Sequence, residues 1–196
     1  LCRTASDREL AQRWYPGEHD VSRSARIDQW LAWHHGNVRR FELTAQEGEF
    51  EIVPGMMTKT WGFNGPYQGP TLYMRRGEEI DMTVHNELPE PTVVHWHGLH
   101  LPAAADGGPA LMFDPGKSWS PSWTVDQPAA TCWYHPHPHE ASAVHAYRGL
   151  AGGIVLDDDS SFAGLPTEYG IDDIPVIITD ANFTEDGQLD EENGWV

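Results

Sequence analysis

From Phe41 onward polar and apolar positions alternate: Phe41-Glu42-Leu43-Thr44, Glu49-Phe50-Glu51-Ile52-Val53, Thr71-Leu72-Tyr73-Met74 and Ile80-Asp81-Met82-Thr83-Val84. Successive strand side chains face opposite ways, so this period of two predicts half-buried strands. Further strands are predicted at Thr92 to Leu99, Trp119 to Val125, Ala130 to His135 and Gly153 to Leu156. Between them stand turn signals such as Pro54-Gly55, Asn64-Gly65-Pro66, Gly69-Pro70, Arg76-Gly77 and Pro115-Gly116. Short strands punctuated at this interval predict an all-β fold, an antiparallel Greek-key β-sandwich. Ahead of Phe41 the period changes. Ile27, Trp30, Leu31 and Trp33 recur at helical spacing after Ser22 and Ser24, with Gly36 as a stop, which predicts a short amphipathic helix. The pattern divides the chain into a helical segment at 1–40, a sandwich at 41–158 and a following stretch at 159–196.

Composition narrows the function classes. The 196 residues carry a formal net charge of −18, which argues against nucleic acid or an anionic lipid surface as a partner, since both need Lys and Arg against phosphate. Nine Trp, six Tyr and six Phe supply the apolar area for a core. No apolar run is long enough to predict a membrane span. Cys2 and Cys132 are too few for a disulfide framework, and Cys132, inside an apolar run, reads as a buried inert thiol. The anomaly is eleven His.

Two clusters hold the informative ones: His95-Trp96-His97-Gly98-Leu99-His100 and Trp133-Tyr134-His135-Pro136-His137-Pro138-His139. Residues i and i+2 of a strand project from one face, so an H-x-H pair suits one imidazole to each of two neighbouring metals. Two such pairs, each ending an aromatic strand, are hard to explain as a histidine-rich surface. With no carboxylate or paired cysteine in either cluster, the all-imidazole set favours copper, with zinc, iron or nickel as alternatives. A cupin would need a Glu shortly after its H-x-H, where Leu101 and Pro102 stand, and H-x-H-x-D-H hydrolases would need an Asp at Leu99. Cys132 and His137 have a blue-copper spacing, but Ser142 stands where the axial Met belongs.

Taken in order, Asn64-Gly65, Gly69-Pro70-Thr71, Asn86, His95-Trp96-His97-Gly98, Asp106-Gly107-Gly108-Pro109, Trp133-Tyr134-His135-Pro136-His137 and Arg148-Gly149-Leu150-Ala151-Gly152 resemble the first cupredoxin domain of multicopper oxidases, in particular the bacterial three-domain group of cuprous, spore-coat and bilirubin oxidases. The resemblance implies that His95 is a type 2 copper ligand, that His97 ligates a type 3 copper, and that His135 and His137 ligate the type 3 pair. It implies for Asp106 the acid that helps deliver protons to the cluster; a turn residue before Gly107-Gly108 is the plain alternative. His139 reads as an exposed or neighbouring His, and His34, His35, His85, His100 and His145 as structural or exposed. The complete enzyme it implies takes electrons from a phenolic, bilirubin-like or metal-ion substrate and reduces dioxygen to water.

In that family the third domain supplies the other four cluster imidazoles and the type 1 copper, and neither is found in these 196 residues. Gly170 to Asp180 resembles entry into the second domain. The expectation is therefore a piece of an enzyme, inactive toward dioxygen alone, with a non-catalytic copper-binding or copper-buffering module as the alternative. Leu1-Cys2-Arg3, Trp14-Tyr15-Pro16, Ala25 to His35 and Arg39-Arg40 resemble the stretch joining the two domains of theta-class glutathione transferases, which raises a chimeric junction near Phe41 but implies no transferase activity. The family points to the periplasm or cell exterior.

Overall fold

A computed structural model describes residues 38–158, 164–166, 168 and 170–192. The expected helix before Gly36, the transferase-like residues up to 37, Cys2, His34 and His35 lie outside these. The described chain folds as a cupredoxin-like β-sandwich of two sheets. The first holds β1 (Val38–Val53), β2 (Met56–Phe63), β4 (Glu79–Asn86), β6 (Ser118–Trp119) and β7 (Ser122–Thr124). The second runs in the order β3 (Leu72–Arg75), β9 (Gly152–Asp157), β8 (Ala130–Pro136), β5 (Val94–His97). One short helix, α1 (Ser142–Tyr147), follows β8.

The period-two pattern explains the core. Phe41, Leu43 and Ala45 of β1 and Ile80, Met82 and Val84 of β4 face Leu72, Met74, Val94, Trp96, Tyr134, Ile154 and Leu156 of the other sheet, and all are buried. Fully buried Trp96 is ringed by Trp123 at 5.4 Å, Tyr134 at 5.9 Å and Trp119 at 6.3 Å between centroids. Tyr134 donates its hydroxyl hydrogen to Pro70 O at 2.7 Å. Its ring lies so close to two glycines that a Cβ on Gly152 would fall 2.2 Å from the ring and one on Gly69 2.3 Å from the hydroxyl. Three of the motifs that carried the family resemblance thus meet in one contact.

Several expected elements differ. The sandwich is mixed rather than antiparallel: β1 pairs with β4, and β3 with β9, in parallel. After the β1–β2 hairpin the chain crosses to the other sheet for β3 and returns beside β1, and that crossing reverses its sense. Phe41–Thr44 and Glu49–Val53 are parts of one strand that begins at Val38. The early start was hidden because Arg39 takes an inward position, where it donates to Glu78 Oε1 at 2.5 Å and to Tyr73 O. β2 was not predicted, because Thr58 and Thr60 occupy its inward positions and break the apolar alternation. Both are satisfied by loop carbonyls, Thr58 donating to the distant Gly187 O and Thr60 to Pro66 O, at 2.6 Å each. The strand expected at Trp119 to Val125 divides around Pro121, which has no amide hydrogen to offer a ladder. At the end of β9, Arg75 pairs with Asp157 at 2.9 Å, and Ala129 N donates to Asp158 at 3.0 Å.

After β9 the described residues contain isolated bridge positions only, Phe183 paired with Leu189 among them, and no longer strand. Residues 182–191 lie along β2 and α1. Arg148 donates to both carboxylate oxygens of Glu191 at 2.6 and 3.0 Å, and Tyr147 Oη donates toward Asn182 O at 3.0 Å. Gln188 accepts from Lys59 N and donates to Met57 O, both at 2.9 Å.

Removing one member of a buried ion pair strands the other without water. Arg39→Ala is therefore expected to cost about 3–5 kcal/mol of unfolding free energy in urea titration; a loss under about 1 kcal/mol, typical of an exposed pair, would contradict it.

Candidate metal centre

Burying Trp96 and Tyr134 sends their sequence neighbours outward. β5 and β8 are antiparallel partners, with His95 opposite His135 and His97 opposite Trp133. One outer face thus collects His95, His97 and His135, and His137 joins at the strand end, where its backbone N donates to Val93 O at 3.0 Å. Ring centroids lie 5.5 Å apart for His95 and His97, 5.4 Å for His95 and His135, 5.6 Å for His95 and His137, 5.5 Å for His97 and His135, and 6.0 Å for His135 and His137. The structure brings all four imidazoles expected from the sequence into one cluster. Ligand atoms of His95, His97 and His135 all fall within 4.8 Å of one another.

The outer hydrogen bonds decide which nitrogen is free. His95 Nδ1 lies 2.8 Å from Asp106 O and His135 Nδ1 lies 2.9 Å from Pro136 O. A carbonyl only accepts, so both Nδ1 atoms carry the hydrogen and both Nε2 atoms keep a lone pair. His135 Nε2 sits 3.3 Å from His97 Nδ1. Two imidazole nitrogens each about 2.0 Å from one tetrahedral zinc-like ion are about 3.3 Å apart, so this pair has the spacing of ligands to a single metal. The donor set therefore fits a nitrogen-favouring transition metal. Burial pushes the His135 imidazole down to about 4, helped by the facing His95, His97 and His137 and opposed by the bond to Pro136.

Asp106 reaches the cluster from the outer side of His95. Its carbonyl holds the ring, and its half-exposed carboxylate lies 3.6 Å from the same Nδ1. The following turn is tight: Gly107 has φ +79°, and a Cβ there would fall 1.8 Å from Val94 O. Only glycine lets the loop come this close to β5.

The remaining histidines separate from the cluster. His139 is exposed, 3.8 Å from the Glu140 carboxylate. His145 is fully buried and structural, 3.1 Å from Glu90 Oε1 and edge-on to Trp61, and burial pushes its imidazole down. His85 bridges Glu42 at 2.7 Å and Ser118 at 2.8 Å on the opposite sheet. His100 is exposed. Cys132 is half-buried rather than buried, and burial pushes its thiol up. One residue out of phase with Trp133 and His135, it packs against the core, so the blue-copper spacing to His137 does not become a site. Sequence reasoning missed Trp133 as a site residue. Its indole stacks on His135 at 4.2 Å and lies 5.3 Å from His97; the H-x-H register, which places it opposite His97, was the available signal.

Comparison with known proteins agrees with this picture. Residues 44–161 match the sequence profile of the family described as multicopper oxidase. The chain belongs to the multicopper oxidase family. It is 40% identical over 145 residues to the multicopper oxidase mco of Staphylococcus aureus, covering 74% of this chain and 32% of that protein. It is equally 40% identical over 157 residues to the cell division protein FtsP of Haemophilus influenzae, covering 79% and 34%. A laccase from Pediococcus acidilactici superposes with a TM-score of 0.75 at 39% identity, over 80% of this chain and 34% of that one. The chain spans about a third of the length of the curated relatives it matches. Nothing in these matches supports the glutathione transferase likeness of residues 1–40.

The ordinary imidazole value is 6.5, and that of His135 in the fold is about 4. Between these the unfolded chain binds a proton that the folded chain refuses, so acidification favours unfolding. The melting temperature of the metal-free chain is expected to fall as pH drops from 6.5 to 4, and less steeply in His135→Gln; identical slopes in the two proteins would refute this.

Proposed function

We propose that this chain is the first cupredoxin domain of a copper oxidase and supplies half of the imidazoles of its three-copper cluster. The observation that carries the reading is the convergence of His95, His97, His135 and His137, with His97 Nδ1 and His135 Nε2 at a separation that two ligands of one metal would have. His95 would hold the type 2 copper, and His97, His135 and His137 the type 3 pair. Bound copper would supply the one-electron steps that join oxidation of a phenolic, bilirubin-like or metal-ion substrate to reduction of dioxygen to water.

The chain's own residues have three tasks. His95 and His135 keep the lone pair on Nε2, since each Nδ1 donates to a main-chain carbonyl, and burial opposes protonation of His135. Main-chain carbonyls of Asp106 and Pro136 orient both rings. The Asp106 carboxylate, beside His95 and open to water, is placed to pass protons toward the cluster.

The reading extends to organisation. The domain runs from Val38, where β1 begins ahead of the boundary expected at 41, to 158, with the preceding residues as a separate leading segment and 159–196 as linker and entry to a second domain. Ile174, Val176 and Ile178 support this: they alternate in the manner of a strand yet are 62%, 73% and 92% exposed. Four further imidazoles and a type 1 copper from another domain are needed for turnover. The periplasm or cell exterior is the proposed location; no helix among the described residues is long and apolar enough to cross a membrane.

A relative named for cell division shares the likeness, so family membership alone does not carry the chemistry. Copper titration followed by electron paramagnetic resonance tests it. The chain is expected to bind copper, and His97→Gln and His135→Gln to bind at least ~10-fold more weakly. No uptake by the unaltered chain would overturn the ligand assignment. With copper and a phenolic donor, an oxygen electrode is expected to record no turnover; oxygen consumption by the chain alone would show that four imidazoles suffice.

A further inference from the structure

One hydroxyl joins α1 to the imidazole cluster. Ser142, the first residue of α1, has Oγ 2.9 Å from Pro138 O and 3.3 Å from His137 Nδ1. A serine hydroxyl owns one hydrogen and a carbonyl can only accept, so that hydrogen goes to Pro138. Oγ is then an acceptor toward His137, and Nδ1 must carry the imidazole hydrogen. The lone pair is left on Nε2.

His95 and His135 reach the same protonation pattern by another route, since each donates Nδ1–H to a main-chain carbonyl. No side-chain substitution removes those acceptors. His137 is the one of the three whose Nδ1 partner is a side chain. Its backbone is already pinned by its bond to Val93 O. Pro138 O also accepts from Ala141 N at 3.4 Å, so the same short loop that ends β8 sets the start of α1 and the place of the hydroxyl.

We propose that Ser142 is a positioning residue that holds His137 as the Nδ1–H tautomer with Nε2 available to the cluster. The tautomer stands on the geometry; its consequence for metal binding rests on the copper reading above. A histidine ligates through a nitrogen that carries no hydrogen, and the bond made by its other nitrogen selects which one that is. A histidine side chain free in water prefers its hydrogen on Nε2. Without the Ser142 acceptor, His137 would drift toward the form whose hydrogen occupies the ligating position.

The test uses the metal-free 196-residue chain. Long-range proton–nitrogen correlation at mildly alkaline pH reports which ring nitrogen of each histidine is protonated. The unaltered chain is expected to show a pyrrole-like Nδ1 and a pyridine-like Nε2 at His137. Ser142→Ala is expected to mix or exchange those two signals, leaving His95 and His135 unchanged, and Ser142→Thr to restore them. Copper affinity is expected to be about 10–100-fold weaker in Ser142→Ala and near the original in Ser142→Thr. An unchanged His137 pattern in Ser142→Ala overturns the proposal. If the alanine variant does not fold, Ser142→Cys, of similar size and much weaker as an acceptor, is read in its place by the same criterion. A chain that binds no copper yet shows the His137 exchange overturns the copper reading and leaves the role of Ser142 standing.

Discussion

The burial of Trp96 and Tyr134 in facing positions of β5 and β8 is the constraint on which the site depends. A strand cannot bury one side chain without turning its neighbours away. Seating these two rings in the core therefore commits His95, His97, Trp133 and His135 to the outer face. Slipping either strand by one residue would place imidazoles among Leu, Met and Trp and expose Trp96 or Tyr134. The energy that fixes the positions of the imidazoles is thus hydrophobic, although the site itself is polar. Gly69 and Gly152 serve the same end, since the Tyr134 ring reaches its place only where no Cβ stands in the way, and Pro70 O accepts its hydroxyl hydrogen.

The cluster was legible in the sequence because its grammar is local. Two H-x-H pairs next to aromatic residues state the face, the spacing and the chemistry within a few positions each, and the structure brings those four imidazoles together. What escaped reading involved distant partners. Arg39 looks misplaced in a strand until Glu78 is found beside it, and β2 looks irregular until Thr58 and Thr60 are seen to donate to loop carbonyls. The parallel pairings depend on the path of the chain between sheets, which period-two alternation does not encode. α1 escaped for a related reason: six residues are too few for a helical period to show.

Motif residues outside the cluster acquire structural explanations. Asn64 accepts from Thr44 N at 2.7 Å and donates to Glu42 O at 2.8 Å, tying the loop after β2 back to β1. Asn86 ties Leu88, Glu90 and Phe113 into the loop that leads to β5. These are the joints that hold the loops around the sandwich. In this chain they belong to the scaffold, whereas the imidazoles belong to the candidate metal centre.

The side chain of Gln188 imitates a strand. By accepting from Lys59 N and donating to Met57 O, it occupies hydrogen-bonding groups on the outer edge of β2, where the sheet would otherwise offer a template to any extended peptide. Further along the same strand Trp61 N and Phe63 N donate to Arg148 O and Gln68 O, so the amide and these two carbonyls together leave less of that edge open to pairing, at points in the chain outside the metal centre.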